Sequence, residues 1–200
     1  MDFQEVLRRR RMVRSFDGTP VDRTTLDRLL SAALRAPSAG FTQAVDLLAL
    51  TDSEARASYW EAVTTEEWRS RSRRATPLAA APVVVVVVVD PHAYFERYSE
   101  DDKRASGLTS LSSWPVAYWW VDAGFVILNL LHGAVDAGLG ACLLGTFRGE
   151  EELKARFGIP ERKRIAGSVL IGHPGPYDPP SASTSRTRRS LEEAVHRNRW

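Results

Sequence analysis

Seven consecutive valines, Val83–Val89, constrain the fold more than any other stretch of this chain. β-Branched side chains are stiff about χ1 and suit a pleated strand better than a helix. The run has no polar position. It is therefore a strand buried on both faces, not an alternating surface strand. Val45–Leu50, Ala141–Gly145 and Ile165–Gly172 also read as strands.

Helical stretches alternate with them. Asp2–Arg11 places Phe3, Val6 and Leu7 on one face, and the stretch from Asp22 to Arg35 does the same with Leu26, Leu29, Leu30, Ala33 and Leu34. Ser53–Val63 and Glu150–Phe157 are helical in pattern. Thr64-Thr65-Glu66-Glu67 resembles a capping box and opens a helix through Trp68 and Arg69–Arg74, after which Pro77 and Pro82 break the pattern. The polar, turn-rich residues Tyr98–Ser113 are expected to form a mobile loop or lid. Pro115–Ala137 is the strongest helix. It is apolar nearly all round, which suits a core or an interface. Gly138-Leu139-Gly140 ends it. The Pro/Ser-rich extension Pro174–Thr187 is not expected to pack on its own core, and Ser190-Leu191-Glu192-Glu193 caps a short terminal helix. The pattern fits an α+β sandwich that dimerises through helices, with its tail wrapping onto a partner.

The 200 residues, 44% hydrophobic and 26% charged, make one folded domain over 1–200 and exclude a disordered chain. A single cysteine makes no internal disulfide, and four scattered histidines leave no structural zinc site. Met1–Arg14 lacks the apolar core of an export signal, while Asp122, Asn129 and His132 make 115–135 a poor membrane span. A cytoplasmic protein with no metal, membrane or nucleic-acid partner is expected.

The net charge of +2 conceals arginine clusters at both ends: Arg8–Arg11 and Arg14, then Arg186, Arg188, Arg189, Arg197 and Arg199. If the ends meet, their guanidinium groups form a phosphate clamp; otherwise they are solvated charge runs. A nucleic-acid surface would interleave more aromatics than the tail contains. Pro37–Gln43 offers backbone N–H groups, two hydroxyls and an amide to a flat polar ligand, and it also reads as an ordinary helix-to-strand connection. Gly138-Leu139-Gly140 is no dinucleotide fingerprint, because it follows a helix and lacks the third glycine. No G-x-S-x-G elbow is present, and Cys142 in an apolar strand reads as a buried, inert thiol. His132, on the apolar helix, reads as a core or interface residue. Asp122, on the same helix, bonds a neighbouring backbone or stands near a ligand, and the residues alone do not choose. The flat side chains of Trp60, Trp68, Trp114, Tyr118, Trp119, Trp120 and Phe41 suit either a pocket or the core.

Together these pieces resemble the nitroreductase family of flavin enzymes, in an actinobacterial-type branch. Arg9–Phe16 resembles its first flavin-phosphate motif, and Ala36–Gln43 resembles the loop that meets the flavin. Asp122–Cys142 resembles the long dimer helix and its glycine exit, Gly167–Pro174 the late strand, and Arg186–His196 with Arg199-Trp200 the C-terminal signature. The resemblance implies a three-layer sandwich with a central mixed or antiparallel sheet flanked by helices. It implies a homodimer joined by the long helix, with residues 174–200 embracing the partner subunit and two FMN sites at the interface. Arg10, Arg11 and Arg14 would contact phosphate, ribityl or ring edge, with Arg186 and Arg188 completing the clamp. Pro37, Ser38 and Ala39 would touch the other subunit's flavin, Gln43 would hold that loop, and Leu143, Leu144 and Gly145 would lie by the ring. The implied activity is NAD(P)H-dependent reduction of a flat, electron-poor acceptor such as a nitroaromatic or quinone. The flavin bears the chemistry, and no protein side chain serves as catalytic acid. Met12 stands where the family often has a hydroxyl residue, Phe41 replaces Asn, and Ala44 replaces Pro. Two rivals stand beside this reading: an F420-using oxidoreductase of the same fold, since some relatives bind that deazaflavin, and a flavin-binding protein that lost turnover through the Phe41 and Met12 changes.

Overall fold

The valine run forms the centre of the sheet. The computed structural model describes residues 1–200, the side chain of Ala182 excepted. Four strands, β1 (Val45–Leu50), β2 (Val83–Val89), β3 (Gly140–Leu144) and β4 (Arg164–Gly172), form a sheet in the order β1-β2-β4-β3. Every ladder is antiparallel, with one parallel bridge, Met12 to Ala141, at the β3 edge. All seven valines are 3% exposed or less.

Alternate valines feed different cores, as the period of a strand requires. Val83, Val85 and Val87 pack with Leu26, Leu29, Val126 and Leu130, which lie on α2 (Arg23–Ala33) and α7 (Tyr118–Asp136). Val84, Val86 and Val88 pack with Tyr59, Trp60, Leu78 and Leu153, from α3 (Ser53–Val63), α5 (Ala75–Ala79) and α8 (Glu150–Phe157). Helix, sheet and helix make three layers. The remaining helices are α1 (Phe3–Arg9), α4 (Glu66–Arg71), α6 (Pro91–Tyr98) and α9 (Leu191–Ala194). None of the helices is long and apolar enough to cross a membrane.

Three local differences from the sequence reading have simple causes. The helix begun at the Thr64-Thr65 box stops at Arg71, where Ser72 turns extended, and Thr65 is its cap, accepting from Trp68 N–H at 3.2 Å. Pro77 does not break structure; it sits in the first turn of α5, where a helix needs no N–H donor from it. Helix α6 is an addition to the expected elements: Asp90 caps it by accepting from His92 N–H at 3.0 Å and Pro91 opens it. Its last residue, Tyr98, therefore leaves the expected lid. The remainder carries 3-10 turns at Arg104–Ser106 and Leu111–Ser113, and Trp114 Nε1–H donates to the Leu108 carbonyl at 3.0 Å.

The tail also departs from expectation. Its first residues pack on their own chain: Pro174 bridges Phe16, and Gly175 N–H donates to the Ser15 carbonyl at 2.8 Å. From Thr184 onward every residue is exposed. Helix α9 forms with its capping box, Ser190 Oγ accepting from Glu193 N–H at 3.2 Å and Glu193 accepting from Ser190 N–H at 2.7 Å.

One glycine fixes the turn leaving β3. Gly149 has φ 72°, and a Cβ there would lie 1.9 Å from the Ala62 carbonyl oxygen on α3. Gly149→Ala is expected to lower stability by about 2 kcal/mol, from the left-handed backbone and the clash together. A urea melt reads this directly, and an unchanged midpoint would mean that the turn moves aside freely.

Candidate functional site

A cationic group stands on the free edge of β3. Val13 N–H donates to the Ala141 carbonyl at 2.9 Å, which lays residues 12–14 along that edge. Met12 Sδ accepts from Leu143 N–H at 3.5 Å, so this amide is engaged within the chain. Arg11 forms an ion pair with Asp178, whose other oxygen accepts from Arg14 N–H at 3.2 Å. Arg14 Nη1 donates to the Met12 carbonyl at 3.2 Å. Arg74, at the start of α5, belongs to the same surroundings: Arg14, Asp178 and Arg74 all act electrostatically on Cys142. Burial dominates that thiol and pushes its pKa up, which agrees with an inert cysteine. Three arginines thus stand near one carboxylate, which pairs with Arg11 alone, so the place is net cationic and suited to an anion.

The two ends of the chain meet here, but through Asp178. Arg186 and Arg188 are exposed further along the tail, outside this contact group. Sequence reasoning missed Arg74 and Asp178. No local motif marks either, and it is the pairing of residues 15–17 with 173–175 that brings the tail back to the opening segment. Arg10 ends α1, close enough to His132 on α7 that its charge, after burial, lowers the imidazole pKa.

The loop Pro37–Gln43 is built at the other end of α7. Its backbone turns through Gly40 at φ 63°, Phe41 at 56° and Gln43 at 53°. Positive φ is costly for the two residues that carry a Cβ, so neighbours must hold them there. Asp122, 2% exposed, accepts from Ala39 N–H at 2.9 Å and from Tyr94 O–H at 2.7 Å. Ser38 Oγ accepts from Gln43 N–H at 3.0 Å, and Thr42 Oγ1–H donates to the Ala39 carbonyl at 2.5 Å. The choice left open for Asp122 is settled in favour of a backbone contact. Burial, and then Asp122 beside it, raises the Tyr94 pKa, so the phenol stays a donor. A cavity of about 160 Å³ lies against Pro37, Ser38, Gln43 and Asp122.

A larger cavity of about 410 Å³ opens at the end of β3, against Leu144 and Gly145. Its other walls include Tyr59, Trp60, Trp68 and Phe147. Trp60 and Trp68 stack with centroids 6.0 Å apart and planes 14° from parallel. Flat, largely apolar walls with few polar groups suit an aromatic ring system.

A single chain separates these parts. Ala39 is tied to Asp122, whereas Arg10 neighbours His132, ten residues on and about 15 Å further along α7. Between them, α7 carries an apolar stripe facing outward: Phe125 is 42% and Leu128 43% exposed, one turn apart. Phe3 and Leu7 of α1 extend it, and Phe3 packs edge-on against His132 at 5.9 Å.

The model of the Nitroreductase family matches residues 7–173. The chain belongs to the nitroreductase family. Among curated relatives of this nitroreductase-family chain is an Archaeoglobus fulgidus protein described as an NADH dehydrogenase/NAD(P)H nitroreductase. The two are 26% identical over 194 residues, 96% of this chain and 94% of that protein. The NADPH-flavin oxidoreductase of Vibrio harveyi is 24% identical over 171 residues, 85% of this chain and 65% of its own length. Solved structures share the fold. A nitroreductase from Exiguobacterium sibiricum 255-15 in complex with FMN superposes with a TM-score of 0.74 at 18% identity, covering 98% of this chain and 97% of that one. Nitroreductase A from Vibrio parahaemolyticus gives 0.71 at 22% identity, covering 98% and 76%.

Proposed function

We propose that this protein is an FMN-dependent oxidoreductase that takes hydride from NAD(P)H and passes it to a flat, electron-poor acceptor such as a nitroaromatic or quinone. The single observation that carries the reading, beside the family, is the cationic edge of β3 next to an aromatic-walled cavity. The cationic segment runs beside Ala141–Leu143 of β3 and the cavity follows at Leu144 and Gly145, so a ligand with an anionic end and a flat end would lie along one strand edge.

The residues fit FMN in kind. Arg11, Arg14 and Arg74 offer several fixed guanidinium donors to a phosphate, with Arg10 nearby. Asp178 holds Arg11 and the Arg14 amide in place and limits their mutual repulsion. Leu143, Leu144 and Gly145 border the ring's place, and Gly145, beyond the last ladder pair, lets the Phe147 ring lie close against the backbone there. Pro37, Ser38, Ala39 and Gln43 serve the site of a second copy, because they stand too far along α7 to serve their own. A two-fold axis across α7 sets the start of one helix beside the end of its partner and covers the Phe125–Leu128 stripe. The exposed tail, with Arg186, Arg188, Leu191 and Trp200, then reaches onto that partner, and the arginines complete the clamp. The domain is a single unit over residues 1–200, with 174–200 as the embracing part.

FMN, when bound, supplies a ring nitrogen that accepts and returns hydride. The chain orients the ring with the loop and the β3 end, and Trp60 and Trp68 wall the site against water. Its surplus positive charge favours a reduced, anionic ring. No side-chain acid is required at the acceptor.

The test is a visible absorbance spectrum of the purified protein, loaded with FMN and then given NAD(P)H without oxygen. A two-band oxidised-flavin spectrum that bleaches is expected. A protein that takes up FMN but never bleaches is a flavin carrier, and one that takes up none refutes the reading.

A further inference from the structure

The loop 37–43 is held from outside by more than α7. Helix α6 reaches it with two residues that the flavin motifs do not include. Arg97 Nε–H donates to the Gly40 carbonyl at 2.8 Å. The ring of Tyr98 lies against Gly40, so closely that a Cβ there would come within 2.7 Å of it. The remaining nitrogens of Arg97 face the segment after α6: Nη1 and Nη2 each donate to Asp102 at 2.7 Å, and Nη1 donates to Glu100 at 3.0 Å. The Asp102 hydrogen bond, more than any other contact, raises the Arg97 pKa. Arg97 is only 22% exposed along its side chain, so it is not a loosely solvated surface arginine.

The position of the Gly40 carbonyl decides what this contact does. It belongs to the peptide that joins Gly40 to Phe41, and Phe41 is one of the two residues held at positive φ. Rotation of that peptide is the simplest way for Phe41 to relax to negative φ. The Arg97 hydrogen bond opposes the rotation, because the carbonyl would swing away from Nε. The bidentate pair with Asp102 fixes the guanidinium plane, and so aims Nε at the carbonyl.

We infer that Arg97 is a positioning residue, which carries the order of the segment from Glu100 to Asp102 into the flavin-facing loop and holds Phe41 in its left-handed conformation. The inference rests on the flavin reading for its consequence but not for its geometry. Lysine at position 97 keeps the charge but lacks a planar fork, so it cannot bind Asp102 bidentately while donating to Gly40. A merely charged surface role would survive that exchange; a positioning role would not.

The experiment uses the full chain with Arg97→Lys, Asp102→Asn, and a control in the neighbouring ion pair, Asp101→Asn, which pairs with Arg104 instead. Two quantities are read. The first is amide exchange of residues 39–43 without flavin. The second is the FMN dissociation constant, together with the position of its visible bands. Arg97→Lys is expected to speed loop exchange about tenfold, weaken FMN about tenfold and shift the bands. Asp102→Asn is expected to do the same to a smaller degree, Asp101→Asn nothing, and the double variant no more than Arg97→Lys alone. Arg97→Lys with wild-type loop exchange would overturn the inference, whatever FMN does. Faster exchange in a protein that binds no FMN even as wild type would uphold the positioning and refute the flavin reading instead. Equal effects from Asp101→Asn would also overturn it, by showing general loosening.

Discussion

Phe125→Asp combined with Leu128→Asp is expected to turn a two-chain particle into a single chain of 22.3 kDa that no longer holds flavin. Both side chains are more than two-fifths exposed within one chain, so the chain's own core depends on them little. Covering such a side chain is worth about 1.5–3 kcal/mol at full burial, and each substitution counts twice across a two-fold axis. Two charges per copy would also be buried without partners, which costs more than the lost contact. The net change amounts to many powers of ten in the dimer constant, far beyond what raised protein concentration offsets. Light scattering gives the mass, circular dichroism confirms that the monomer is folded, and an FMN titration reads the site. A particle of unchanged mass would remove the α7 stripe from the interface. A folded monomer with undiminished FMN affinity would remove the second chain's loop from the site.

The structure explains why some features were legible and others not. The valine run admits one solution, since no face of it tolerates water, and its alternate residues do enter two separate cores. The long helix was legible because its buried apolar residues recur at helical spacing, as Trp119, Ala123, Val126, Leu130 and Ala134 do. Helix α6 is short, eight residues, so its local signals, Asp90 as cap, Pro91 opening, and Tyr94 and Tyr98 four apart, span barely two turns. Pro77 is compatible with a helix because it falls in the first turn of α5, where its missing N–H costs nothing. The site was legible only as separate motifs. Arg14 and Gln43 stand in motifs, but Asp178 meets Arg14 across 164 residues and Arg74 approaches from the start of another helix. Arg97 meets Gly40 across 57 residues. Such contacts have no sequence spacing to read.

Asp122→Ala is expected to cost about 3–5 kcal/mol of stability and to disorder the 37–43 loop. The residue is an anionic group on a helix that is otherwise apolar along its buried face, and it is 2% exposed. Isolated, it would be a liability there. It persists because one oxygen takes two donors that have no water to turn to: the Ala39 amide and the Tyr94 phenol. Alanine leaves both stranded, and each stranded donor costs about 1–3 kcal/mol. That is a large share of the roughly 5–15 kcal/mol that keeps a domain folded. For a chain of this length it lowers the melting temperature by roughly 6–20 °C, at about 2–4 °C per kcal/mol. Tyr94→Phe separates the two donors. Alone it removes one hydrogen bond and leaves Asp122 under-satisfied. Placed in the Asp122→Ala background it removes a donor that is already stranded, so there it should cost less than alone or be neutral. The same cycle run on FMN affinity should show the Asp122→Ala loss with little further change from Tyr94→Phe, because of the two bonds only the Ala39 bond reaches the 37–43 loop. An Asp122→Ala protein that melts within 1 kcal/mol of wild type, or whose effect simply adds to that of Tyr94→Phe, would show that α7 does not hold the loop through this carboxylate.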